Sequence, residues 1–148
     1  MKVALIFPRM AGQVHGMWPP LGIITLGTIL RAEGHEVTCH DLSFDPGLER
    51  ITAELTRRRP EVVGVSCLTD FLPAAKEIIQ RAKALPATTI MGGPHPTIAP
   101  EDTLCAIPEL DFAVRGEAEV TLPLLLKAIA AGETKPNLPG LAPIVGAL

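Results

Sequence analysis

Two short stretches carry residues whose size and spacing suit contact with a bulky ligand. Gly92-Gly93 offers backbone with no side chain on either residue, so a large group can lie directly against it. Ser66-Cys67-Leu68-Thr69 supplies two hydroxyls around a compact pair. Pro94 and His95 follow the glycines, and Gly116-Glu117 adds a small residue next to an acid. A wall of this kind gives van der Waals contact and a few hydrogen bonds. It does not give acid-base or nucleophilic chemistry, because no loop assembles a nucleophile with a base or a pair of carboxylates. Glu117 and Glu119 come closest, and at a helix start they more simply complement its dipole. The three cysteines, Cys39, Cys67 and Cys105, form no CxxC pair, which argues against a disulfide framework and against a zinc or iron-sulfur motif, and suits a reducing, cytoplasmic setting.

Composition narrows the classes further. The 148 residues carry 13 Lys and Arg against 16 Asp and Glu, a net charge of -3, with a pI near 5.8. That balance leaves no electrostatic footprint for nucleic acid or an anionic membrane. The basic run Arg57-Arg58-Arg59 fits a helix C-terminus, where cations oppose the dipole. No apolar stretch approaches the roughly 20 residues of a membrane helix. The 15 prolines are about twice the ordinary share of ~5%, and Pro19, Pro20, Pro94, Pro96 and Pro100 fix φ in loops.

Those loops must be positioned by regular elements. Short apolar runs at 3–7, 36–40, 62–66, 88–91 and 112–114 alternate with segments of helical periodicity. Runs of this length suit strands buried on both faces of a parallel sheet. Residues 21–32 are apolar nearly all round; Leu48, Ile51 and Leu55 recur at helical spacing, as do Phe71, Ala75, Ile78, Ile79 and Ala82, and then Leu122, Leu125, Leu126 and Ile129. Asp70 is expected to cap the third helix, Gly34 and Gly132 to end their helices, and 100–106 to form a short fourth crossover. The pattern predicts an α/β domain with a doubly wound, five-stranded parallel sheet in the flavodoxin-like, Rossmann-like order 2-1-3-4-5. Residues 1–133 form this domain, and 134–148, rich in Pro and Gly, read as a linker or the truncated start of a next element with nothing to pair with.

In such a sheet ligands bind beyond the carboxyl ends of the strands, which places the loops at 8–20, 66–70, 92–100 and 115–119 at the site. The first loop lacks the GxGxxG spacing of a dinucleotide fold. Strand ends one and three carry Pro8, Arg9, Ser66 and Cys67 rather than the clustered acids of a phosphate-receiving regulator. A flavin site would need a hydroxyl-rich loop and aromatics, and aromatics are only 3%.

Pro19-Pro20-Leu21-Gly22 leading through Leu30-Arg31-Ala32-Glu33-Gly34-His35-Glu36-Val37, then Val65-Ser66-Cys67, Gly92-Gly93-Pro94-His95-Pro96-Thr97 and Arg115-Gly116-Glu117-Ala118-Glu119, resemble the N-terminal cobalamin (B12)-binding domain of cobalamin-dependent radical S-adenosylmethionine enzymes, of the radical methyltransferase and anaerobic magnesium-protoporphyrin cyclase kinds. The resemblance implies that Ser66, Cys67, Leu68 and Thr69 contact the cofactor's buried nucleotide tail, that Gly92, Gly93, Pro94 and His95 flank it, and that Gly116 and Glu117 shape the rim. It implies a following barrel domain holding a [4Fe-4S] cluster and S-adenosylmethionine, whose CxxxCxxC is not in this sequence, so this domain alone is not catalytic. The alternative is a ligand-free domain of the same fold with a structural or docking role.

One departure concerns the lower face of cobalt. Related cobalamin enzymes supply a histidine from DxHxxG, whereas here Gln13 and Trp18 stand around His15 in place of the acid and the glycine. Without a carboxylate to orient the imidazole, His15 is not expected to ligate cobalt, and no protein metal ligand is assigned. His35 and His40 fall at a helix end and a strand end, where structural roles suffice.

Overall fold

The computed structural model describes residues 1–9, 19–45 and 47–142. Strands β1 (Lys2–Phe7), β2 (Glu36–Asp41), β3 (Val62–Ser66), β4 (Thr88–Gly92) and β5 (Phe112–Ala113) alternate with helices α1 (Leu21–Ala32), α2 (Glu49–Arg58), α3 (Leu72–Lys83), α4 (Pro94–Ile98), α5 (Pro100–Ala106) and α6 (Ala118–Ala130). The strands form one parallel sheet in the order β2-β1-β3-β4-β5, as the sequence pattern predicts.

Strand parity divides the sheet into two unlike faces, because successive side chains point to opposite sides. Ala4, Ile6, Val63, Val65, Met91 and Ala113 pack with α2 and α3 residues, including Ile51, Ile78 and Ile79. Val3, Leu5, Val62, Ile90, Phe112 and Val114 pack with Ile23 and Leu30 of α1 and with Leu122, Leu125 and Leu126 of α6. Full burial of each such aliphatic side chain is worth about 1.5–3 kcal/mol, so both layers are well supported. α1 lies close on the sheet: a Cβ at Gly27 would stand 2.7 Å from Cys39 Sγ. The far ends of α1 and α6 are joined by Glu33 and Lys127 at 3.1 Å.

Helix ends mostly follow the sequence logic. Gly34 and Gly132 take positive φ after α1 and α6. The arginine run closes α2: Arg57 and Arg58 contact Glu54 at 2.7 and 2.9 Å, and Arg59 adopts the left-handed conformation as the cap. Hydrogen bonds from those two guanidinium groups hold the Glu54 carboxyl down to about 2.

Three local expectations need correction. Asp70 does not cap α3; it sits in a 3-10 turn, Thr69–Phe71, and α3 opens at Leu72 with Pro73 in its first turn and no side-chain cap. Burial of Phe71, packed edge-on against Phe7 at 5.3 Å, fixes this entry instead. The segment after Gly93 is the short helix α4 rather than a loop, since Pro94 presets a helical φ at a position that needs no N–H donor. The tail is not without a partner as far as it is described: Leu141 bridges Val114 antiparallel, Ala142 N–H donates to Ala113 O at 2.8 Å and Arg115 N–H to Gly140 O at 2.7 Å. Ala142 is buried.

Candidate functional site

At the carboxyl ends of β3, β4 and β5, on the α1/α6 face, the sheet leaves a slot of about 130 Å³. Its floor comes from Leu5, Gly64, Ser66, Ile90, Gly92, Gly93 and Val114; α1 contributes Gly22, Ile23 and Leu26, and the turn into α6 contributes Gly116, Glu117, Ala118, Glu119 and Leu122. Sites that enclose a whole drug-sized ligand run to roughly 300–1,000 Å³, so this slot is too small to enclose such a ligand whole.

Missing side chains make the slot. Along this face Leu5 is paired with Gly64, Gly64 with Ile90, and Ser66 with Gly92, so small residues occupy two successive floor positions of β3 and the last of β4. A Cβ at Gly92 would meet Val114 at an ordinary 3.9 Å, and one at Gly22 would meet nothing within 4 Å. Neither glycine is demanded by local packing; what each provides is room. Gly93 differs. It has φ +102, and a Cβ there would stand 3.0 Å from both N and O of Cys67, so only glycine lets this backbone approach close. That approach is fastened by Cys67 N–H donating to Gly92 O at 2.8 Å and His95 N–H donating to Cys67 O at 2.9 Å.

Of the residues singled out from sequence, Ser66, Gly92, Gly93, Gly116 and Glu117 line the slot together. Cys67, Leu68, Thr69, Pro94 and His95 do not. Parity turns the Cys67 side chain into the core on the opposite face, where burial pushes its thiol up to about 12 and Sγ donates to Leu68 O at 3.2 Å. Thr69 Oγ1 and His95 Nδ1 share a hydrogen bond of 3.2 Å beside the slot, and Pro94 is exposed. His15, with Gln13 and Trp18, lies outside the described residues.

Sequence reasoning missed Gly64 and Gly22. A glycine inside the β-branched run Val62-Val63-Gly64-Val65 signals close approach by a neighbour or a ligand, and that signal was available. Gly22 sits in the first turn of an otherwise continuous apolar helix, where alanine would serve the helix better. No cluster of three or more His, Cys, Asp or Glu able to hold a metal occurs among the described residues, nor does any helix long and apolar enough to cross a membrane.

The slot is lined mainly by apolar residues and glycines, and comparison with known proteins supplies a ligand class. The B12 binding domain family matches residues 10–126. The chain is 31% identical to an uncharacterised methyltransferase of Pyrococcus horikoshii over 96% of its own length and 32% of the relative's. It is 30% identical to the anaerobic magnesium-protoporphyrin IX monomethyl ester cyclase of Rubrivivax gelatinosus over 89% of its length and 25% of that protein. The radical S-adenosylmethionine methyltransferase TsrM of Kitasatospora setae, solved with cobalamin and a [4Fe-4S] cluster, superposes with a TM-score of 0.81 at 27% identity, covering 95% of this chain and 26% of that one. The present chain thus spans about a third or less of each of these three relatives. It belongs to the B12-binding domain family.

Proposed function

We propose that this chain seats cobalamin for a radical S-adenosylmethionine enzyme, with the nucleotide tail in the α1/α6 slot and the corrin over the ends of β3, β4 and β5. The observation that supports this reading is Gly22 and Gly92: two glycines that the fold does not need, both opening onto one apolar slot. Bound cobalamin would supply a cobalt centre able to carry a methyl group or an electron, and the protein's share is position and exclusion of water. Leu5, Ile90 and Leu122 keep the slot dry, Ser66 offers a hydroxyl at its floor, and Glu117 and Glu119 stand at its α6 side as acceptors for amide N–H groups. The cluster and S-adenosylmethionine belong to a separate domain of the parent enzyme, and the reaction is radical methylation or oxidative ring closure. Residues 1–133 make up the binding unit, with 138–142 strapped to it, and the cysteines fit a cytoplasmic setting.

Desalting the chain after incubation with hydroxocobalamin, and reading the visible spectrum of the protein fraction, tests this. The unmodified chain should retain about one equivalent, and Gly22→Phe, at a slot-lining position where a Cβ would meet nothing within 4 Å, should retain none while staying folded. An unmodified chain that emerges colourless would leave the domain as a structural one. Equal retention by Gly22→Phe would move the cofactor to another surface.

A further inference from the structure

The slot's rim is made by two glycine turns, one after β4 and one before α6, and a single hydroxyl ties them together. Thr97 Oγ1 donates to Gly93 O at 2.8 Å and accepts from Gly116 N–H at 2.9 Å. A hydroxyl has one donor and spare lone pairs, so both bonds form at once. Thr97 N–H also reaches Gly93 O at 3.3 Å, which locks the donor side of the clip to the first turn of α4. Side-chain packing does not hold the other side, since a Cβ at Gly116 would meet nothing within 4 Å. The Gly116 amide is therefore placed by Thr97 and by the neighbouring Arg115 N–H bond to Gly140 O. Thr97 itself does not line the slot.

Resting on the cobalamin reading, we propose that Thr97 is a positioning residue for the cofactor: its hydroxyl sets the distance between Gly93 and Gly116, and so the width of the mouth through which the nucleotide tail enters. The Thr97 hydroxyl bonds to both turns, so losing it frees the Gly116 turn to drift and the slot must be re-formed on each binding event. That cost appears as weaker affinity, because a ligand selecting a fraction of the population binds with its constant reduced by that fraction.

Thr97→Val keeps the branched shape and removes the hydroxyl, and Thr97→Ser returns it. Thr97→Val should raise the Kd for hydroxocobalamin about tenfold, the scale of one or two hydrogen bonds. Its Gly116 amide should exchange with solvent faster, while amides inside β3 keep their protection. Thr97→Ser should bring Kd and Gly116 exchange back to within about twofold of the unmodified chain. Normal binding by Thr97→Val, or a Thr97→Ser chain as weak as Thr97→Val, overturns the proposal. So does loss of folding in Thr97→Val, which would make the hydroxyl a support of the core. If the unmodified chain holds no cobalamin, the underlying reading fails and this one with it; if it binds and Thr97→Val binds equally, only this one fails.

Discussion

The two faces of the sheet are built from the same strands and do opposite things. On the α2/α3 side the positions at the strand ends are filled, with Val65, Cys67 and Met91 all buried against Ile78 and Ile79. On the α1/α6 side the equivalent positions are Gly64, Ser66 and Gly92, and a slot opens. One face spends its side chains on cohesion; on the other, Gly64 makes way for Leu5, whose Cδ2 would stand 2.9 Å from a Cβ there, and Gly92 leaves room. Because parity alternates, each strand serves both, and neighbouring residues in the chain carry unrelated tasks.

Met91 and Gly92 make the sharpest break of that comparison. Gly92→Leu should place a side chain into the slot from a backbone that accepts a Cβ, and cobalamin affinity should fall by at least about a hundredfold with the melting temperature little changed. Met91→Ala, one residue away, empties a fully buried site on the other face. It should cost about 2–5 kcal/mol of stability while the folded fraction binds cobalamin normally. Paired titrations and melting curves read both effects, and a Met91→Ala chain that is stable but fails to bind would show that the faces are not independent. Gly93→Leu is a poorer probe, since its strain against Cys67 would damage fold and site together.

Much of this division was legible in the sequence and part was not. The five short apolar runs and their order followed from length and β-branched content, and Gly92-Gly93 falls at a strand end where the slot opens. What blurred the site was treating Ser66 to Thr69 as a loop that presents all its residues. β3 runs through Ser66, and the extended backbone beyond it keeps the alternation, so Ser66 faces the slot and Cys67 the core. Gly64 was readable as a break in a β-branched run. The Thr97 clip was not, because it joins residues 19 apart in sequence through a helix that Pro94 creates where a loop was expected. The tail was illegible for the same kind of reason: antiparallel pairing of Leu141 with Val114 is a long-range contact with no local signature.

The tail now sharpens the comparison, for it braces the slot side of the sheet. Thr121 Oγ1 donates to Pro139 O at 2.8 Å, and Leu138 and Leu141 pack on the α1/α6 cluster. A chain ending at residue 137 should melt lower than one ending at residue 142 by the equivalent of about 1–3 kcal/mol, the scale of a buried alanine and a few lost hydrogen bonds. Identical melting curves would show that residues 138–142 add nothing to the core. A drop in stability with cobalamin affinity unchanged below the transition would assign the strap to the fold alone.

The smallest effect is expected farthest from the slot, at the β2 edge, where a polar hollow of about 330 Å³ is lined by His40, Asp41, Asp45, Arg50, Glu54 and Arg58. Burial holds the His40 imidazole below its ordinary value, Glu54 opposes this, and Arg58 and Arg50 add to it. His35 is lowered in the same direction, again mainly by burial and next by the chain's amino terminus, whose nitrogen lies 3.3 Å from its Nδ1. A histidine whose folded value is depressed binds its proton more readily in the unfolded chain, so its contribution is fully present above the ordinary value near 6.5 and is lost as pH falls below it. Melting temperature should therefore decline between pH 7 and pH 5, and His40→Gln should flatten the decline. Among the described residues no imidazole lines the slot, so His40→Gln should leave cobalamin affinity as it was at either pH. An affinity that followed His40 protonation would mean that the polar edge and the apolar slot communicate through β1, which pairs with β2 and contributes Leu5 to the slot's floor.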